Sequence, residues 1–186
     1  MGHRKAKEQH GHSRPYGLWW FEDVCDPLDF ATQADVARIY EPPLAAGEAL
    51  FCVADARNLI RYGGRRADRD VLLFEPVHCY GLPEYLKIVH MAEANGWSRT
   101  SCYPHGGHLF SLHVTAGLGL GGSESNPHSF QPFGGFADGT TVVDGYVRLP
   151  EAPGIGFETR SQLRSALESL LERGEERRPM ASGGTA

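Results

Sequence analysis

Four ionisable residues punctuate this 186-residue sequence at nearly regular intervals: Glu22, Glu48, Glu75 and His105, set 26, 27 and 30 residues apart. Each lies at the end of a short apolar run, in "GLWWFED", "LAAGEAL", "DVLLFEP" and "RTSCYPH". A strand with its crossover helix and loops takes about 30 residues, so the interval is that of one βα unit. In a parallel sheet, residues at successive strand ends emerge side by side on one rim, where α/β proteins build their sites. Two neighbouring carboxylates there, Glu22 and Glu48, suit a hard divalent cation such as Mg²⁺, which prefers oxygen ligands. A carboxylate next to an imidazole orients the ring and raises its basicity, so Glu75 and His105 are expected to form an acid/base dyad. Cation on one side and proton shuttle on the other describe proton abstraction next to a carboxylate.

Two more histidines follow in "SCYPHGGHLFSLH". Their spacing excludes the HExxH zinc arrangement, which also needs a glutamate that the stretch lacks. His108 keeps two readings, a substrate contact or a helix cap. His113 reads as a core or surface histidine of the next helix, and Gly106-Gly107 allow a tight turn at the rim.

The elements that must position these groups alternate as βα units require. Asp26-Pro27 opens a helix with Leu28, Ala31, Val36 and Ile39 broadly on one face, and "VADARNLIRYG" forms a second, closed by Gly63-Gly64. "LPEYLKIVHMAEANG" is a third, and "GGHLFSLHVTAGLGLGG" a fourth that is mostly apolar. "VVDGYVRL" predicts a hairpin turning at Asp144-Gly145. Residues 160–173 predict an amphipathic helix with Leu163, Leu167, Leu170 and Leu171 inward. The fold class is α/β with a parallel sheet, carried by one domain over 15–173 between a flexible polar lead, 1–14, and a disordered tail, 174–186.

A net charge of −5 argues against a nucleic-acid footprint, which needs clustered Lys and Arg. No apolar run approaches the ~20 residues of a membrane span. Cys25, Cys52, Cys79 and Cys102 never fall in the close pairs of zinc or redox motifs and read as reduced thiols. A cytoplasmic protein with small-molecule partners, no nucleic acid and no membrane is expected.

The stretches "CDPLDF", "AAGEALF", "DARNLIRYGG", "PHGGHLFSLHV", "GLGLGGSES", "QPFGGF" and "PGIGFE" closely resemble the C-terminal half of D-tartrate dehydratase-like members of the enolase superfamily, in the mandelate racemase subgroup. The resemblance runs from about Leu18 to Leu171. It implies a partial TIM-like (β/α)7β barrel, roughly strands four to eight with their helices. It implies Mg²⁺ as cofactor, with Glu22 and Glu48 as the second and third metal ligands. His105 matches the histidine of the seventh strand, Glu75 falls where its carboxylate partner should be, and Glu124 matches an acidic residue beside the substrate carboxylate. The implied reaction is a lyase reaction of acid-sugar catabolism: removal of the proton α to a carboxylate, loss of the β-hydroxyl as water with His105 as the acid, and tautomerisation to a keto acid, as from D-tartrate to oxaloacetate.

Where the sequence departs from the pattern, the expectation changes. An Asp ligand on strand three and a Lys base on strand two have no counterpart, because Arg4-Lys5-Ala6-Lys7 stands too close to Glu22 to leave room for a strand and crossover. Val24 and Cys25 replace Pro and Gly, Ala49 replaces a polar residue, and Glu75 is one methylene longer than the family's Asp. The chain alone is therefore expected to be inactive and to self-associate or to need a missing N-terminal half. A non-catalytic half-barrel, or a subunit of a split enzyme, is the alternative from another class, and racemisation or epimerisation of a 2-hydroxy acid starts from the same proton abstraction.

Overall fold

The computed structural model describes residues 14–129 and 131–176. They form two compact units, one up to Ser125 and one from Asn126. Residues 1–13 of the expected lead and 177–186 of the expected tail lie outside the described residues.

The first unit is a run of βα repeats. Strand β1 (Phe21–Glu22) is followed by helix α1 (Phe30–Ile39), β2 (Leu44–Ala46) by α2 (Val53–Tyr62), and β3 (Val71–Leu72) by α3 (Leu82–Ala94). The strands form one parallel sheet in the order β1-β2-β3, with Phe21 opposite Leu44, Ala45 opposite Val71 and Ala46 opposite Leu72. Parallel neighbours need a long crossover, and each helix supplies one. All residues of β2 and β3 are buried, as expected for a sheet covered on both faces. Past a 3₁₀ turn at Arg99–Ser101, a single parallel bridge pairs Cys102 with Leu72, and helix α4 (Leu109–Leu118) follows. The expected partial barrel is thus an open parallel sheet among the described residues, and the strand expected over 99–105 contracts to that one bridge.

Helix starts are explicit. Asp29 caps α1 by accepting the Thr32 amide at 3.0 Å. Cys52 gives α2 no side-chain cap, so Glu84, in the first turn of α3, reaches over to accept the Val53 amide at 3.0 Å. Leu50, Ala56, Leu59, Leu72, Phe74 and Ile88 form the centre of the largest apolar cluster.

Two buried carboxylates tie the sheet to its loops. Asp70, 1% exposed, accepts the amides of Leu44 at 3.0 Å and Arg66 at 2.8 Å, and pairs with the Arg66 guanidinium at 2.6 Å. That guanidinium also donates to the carbonyls of Tyr40, Glu41 and Pro42. Glu75, fully buried, accepts from the amides of Val77 at 3.1 Å and Gly106 at 2.6 Å and from the Ser111 hydroxyl at 2.9 Å, which joins the end of β3 to the start of α4. Burial by itself would raise the Glu75 carboxyl, but hydrogen bonds from His108, Gly106 and Val77 outweigh it and hold the carboxyl below its ordinary value.

In the second unit the expected hairpin is a single antiparallel bridge, Val143 to Tyr146, around Asp144 and Gly145, both at positive φ as a tight hairpin turn requires. Arg160, 2% exposed, donates to the carbonyls of Pro132, Phe133 and Gly134. Helix α5 (Ser161–Glu176) starts one residue later and ends three later than expected. Leu167, Leu170 and Leu171 are exposed instead of inward, because within this unit the helix has little sheet or helix surface to bury them against.

Two measurements follow from the buried carboxylates. Asp70→Ala strands the Arg66 guanidinium and the Leu44 amide, and it should lower stability in urea unfolding by about 3 kcal/mol. A Glu75 carboxyl held below 4.5 stabilises the fold above that pH, and the contribution disappears as pH falls through the lowered value. Acid titration of wild type against Glu75→Gln should therefore show a stability loss below about pH 4.5 that the variant lacks.

Candidate active site

Glu22 is the last residue of β1, and its Oε2 is held by the Trp20 indole N–H at 2.9 Å. Glu48 lies two residues beyond β2. His105 follows the Cys102 bridge, where the Tyr103 amide donates to the Leu72 carbonyl at 2.9 Å. Glu124 comes from the segment after α4, whose Gly121 and Glu124 amides donate to the carbonyls of Cys102 and Pro104, both at 3.1 Å. The strand ends therefore converge. His105 Nε2 is 2.9 Å from Glu48 Oε2 and 3.9 Å from Glu124 Oε2.

Beside them, Glu22, Asp23 and Glu48 each present one oxygen within 4.8 Å of the others. Ligand atoms around an octahedral Mg²⁺ are separated by about 3–4 Å, given bonds of 2.0–2.1 Å, so small side-chain adjustments would bring three hard oxygen donors onto one ion. The donor set fits such a cation and no soft metal. Asp23 was not anticipated from the sequence. Residues adjacent in a strand point to opposite faces, which would send it away from Glu22. Its φ of 46° leaves the strand conformation and brings it back. Only the pairing of two acids in "FED" hinted at it.

Crowded acids leave an electrostatic mark. The Asp23 carboxyl is pushed up to about 6, first by burial and then by Glu48 and Glu22. Burial also pushes Glu124 up to about 7; His105 opposes the shift, and Glu22, Glu48 and Glu75 add to it. Negative charge at this rim is in excess, opposed by His105 and, at Asp23, by Arg65.

The expected Glu75–His105 dyad is not formed. The imidazole beside Glu75 is that of His108, with Nε2 at 3.3 Å from Oε1. His105 has exchanged its expected partner for Glu48 and Glu124, and its Nδ1 is buried without a hydrogen-bond partner among the described residues. His108 is also the cap of α4, accepting the Ser111 amide on Nδ1 at 3.2 Å, as its capping reading expects. His113 sits on α4 as expected, half-buried. A fourth histidine, His78, went unremarked in the sequence. Its Nδ1 lies 3.0 Å from the Glu48 carbonyl, and its ring centre is 6.1 Å from that of His105. All four cysteines are free, in keeping with reduced thiols, and no described helix is long and apolar enough to cross a membrane.

Comparison with known proteins places this geometry. Residues 3–163 match the family model described as enolase C-terminal domain-like. A 3,6-anhydro-alpha-L-galactonate cycloisomerase from Streptomyces coelicolor is 30% identical over 144 residues, covering 76% of this chain and 37% of that protein. A mandelate racemase/muconate lactonizing enzyme from Polaromonas sp. JS666 superposes with a TM-score of 0.73 at 24% identity, over 89% of this chain and 43% of that one. L-Talarate dehydratase from the same organism, crystallised with Mg and L-glucarate, superposes with a TM-score of 0.72 at 24% identity, over 89% and 42%. The chain spans less than half the length of each of these relatives. With strand-end acids on a parallel βα sheet and a family match over most of its length, the chain belongs to the enolase C-terminal domain-like family.

Proposed function

We propose that this chain carries the cation site and the acid side of a Mg²⁺-dependent dehydratase acting on hydroxy dicarboxylic or sugar acids. The observation that supports this most directly is His105 Nε2, set between Glu48 Oε2 and Glu124 Oε2 next to the three-carboxylate cluster. Glu22, Asp23 and Glu48 would hold the ion. When bound, it supplies charge neutralisation at the substrate carboxylate as the α proton leaves.

The chain's own residues supply the rest. In the elimination a base supplied by another segment or chain takes the α proton, the C–H electron pair forms the C=C bond, and the β C–O bond breaks with its pair on oxygen. That oxygen takes a proton from His105 Nε2 and departs as water, and the enol left behind tautomerises to the keto acid. Glu124, raised to about 7 and so protonated in part at neutral pH, can in that form donate a hydrogen bond to a substrate carboxylate that an ionised glutamate would repel. D-Tartrate, galactarate and L-glucarate are all acids of the required kind, and a cytoplasmic setting suits the free thiols.

Lys87, the single lysine among the described residues, lies on α3 and pairs with Glu84 at 2.9 Å. That observation favours a second reading, a half-barrel without catalysis unless another segment or chain supplies the base. Strand β1 has β2 as its one neighbour among the described residues, which leaves a free edge that can pair with a second copy.

Calorimetric titration of Mg²⁺ should give heat with the wild-type chain and an affinity at least about tenfold weaker, near 1.4 kcal/mol, with Glu48→Gln. Incubation with the three acids in D₂O then separates the readings. Keto acid formed by wild type and lost in His105→Asn marks a competent dehydratase, deuterium exchange without elimination marks a racemase, and metal binding without either marks the half-barrel. No heat at all would sink the cation site. Sedimentation velocity should show concentration-dependent association, and a monomer at every concentration would contradict the free-edge reading.

A further inference from the structure

We propose that Glu75 is a positioning residue acting through His108: it locks the 106–111 turn so that His105 faces Glu48 and Glu124, and it does not itself pair with His105. The proposal deepens the reading of His105 as the acid and rests on it for its catalytic meaning.

Glu75 has no capacity left for His105. An ionised carboxylate offers about four acceptor sites. The Gly106 amide takes one at 2.6 Å, the Val77 amide one at 3.1 Å, the Ser111 hydroxyl lies 2.9 Å and 3.1 Å from the two oxygens, and His108 Nε2 is 3.3 Å away. Glu75 and Ser111 are both fully buried, so water cannot replace these donors.

The imidazole is fixed from both ends. His108 Nδ1 accepts the Ser111 amide and must be unprotonated, so the ring hydrogen of the neutral form sits on Nε2, the nitrogen 3.3 Å from Glu75 Oε1. Gly106 makes the approach possible. A Cβ there would lie 2.6 Å from the His108 ring and 2.9 Å from Glu75 Oε2, so any other residue would push the turn off the carboxylate. Gly106 is bonded directly to His105, so a fixed Gly106 amide fixes the backbone from which the His105 ring projects. Among the described residues His105 Nδ1 has no hydrogen-bond partner, so the ring is held by its backbone and by Nε2.

The test is magic-angle-spinning NMR of the full chain labelled with ¹⁵N-histidine, metal-free and at alkaline pH, where imidazoles are neutral. His108→Gln and His105→Gln assign the two rings. His108 is expected as the Nε2–H tautomer in wild type, and Glu75→Gln is expected to shift the resonances of both His108 and His105. Ser111→Ala, which keeps the carboxylate and removes one donor, should shift both rings in the same direction by less. Wild-type His108 found as the Nδ1–H tautomer would overturn the proposal, as would variants that shift His108 and leave His105 in place. Because these readings need no Mg²⁺ and no substrate, failure of the dehydratase assignment would appear separately, as absent heat or absent keto acid.

Discussion

At the N-terminal edge of the sheet the Asp70 carboxylate holds the Leu44 amide and the Arg66 guanidinium, and through Arg66 the loop carbonyls from Tyr40 to Pro42. These contacts join the entry to β2 to the entry to β3. The strands themselves contribute few ladder bonds, since β2 has three residues and β3 two. A one-residue slip would send each side chain to the other face of the sheet. A buried ion pair is weak evidence for net stability, but its loss is costly and its geometry specific, so it serves well as a register pin. The heights of Glu48 and Glu75 at the opposite rim follow from that register, and His105 follows from Leu72 through the Cys102 bridge.

The rim acids work against folding. Burial and mutual repulsion raise Asp23 and Glu124, so bringing these groups together costs free energy that a dispersed arrangement would avoid. Such costs are tolerated at functional sites when the surrounding structure over-determines the geometry. Here the Trp20 indole fixes Glu22, the parallel ladder fixes the strand ends, and the extended contacts of Gly121 and Glu124 with Cys102 and Pro104 fix Glu124. The positive φ of Asp23 belongs to the same account, since a non-glycine residue in that region is strained and the strain turns a third oxygen toward the cluster.

The repeating part of this design was legible in the sequence. Intervals near 30 residues gave the βα repeat, and strand-end position brought Glu22, Glu48 and His105 to one rim, because both depend on chain-local periodicity. What escaped depends on dihedrals and on contacts between distant segments. Asp23 needed a backbone turn that "FED" does not announce. The exchange of His105 for His108 beside Glu75 needed the close approach of Gly106 and the buried hydroxyl of Ser111, 36 residues from Glu75. Strand 99–105 shrank to a bridge because Ser98 and Thr100 bond locally and favour a 3₁₀ turn. Helix α5 had a clear apolar face, but periodicity says which residues share a face and not whether anything covers it.

One methylene explains how Glu75 can serve a different imidazole. A carboxylate on the longer side chain reaches the turn into α4, where the Gly106 amide, the Ser111 hydroxyl and the His108 ring meet it, while the Val77 amide of its own loop completes the set. Saturating the carboxylate there is the stable solution for a fully buried charge, since each missing donor would leave part of its desolvation cost uncompensated. The same choice leaves His105 to face Glu48, a member of the three-carboxylate cluster, and Glu124. Glu48 belongs both to the three-carboxylate cluster and to the contacts of His105 Nε2, so whatever binds the cluster also acts on the partner of His105.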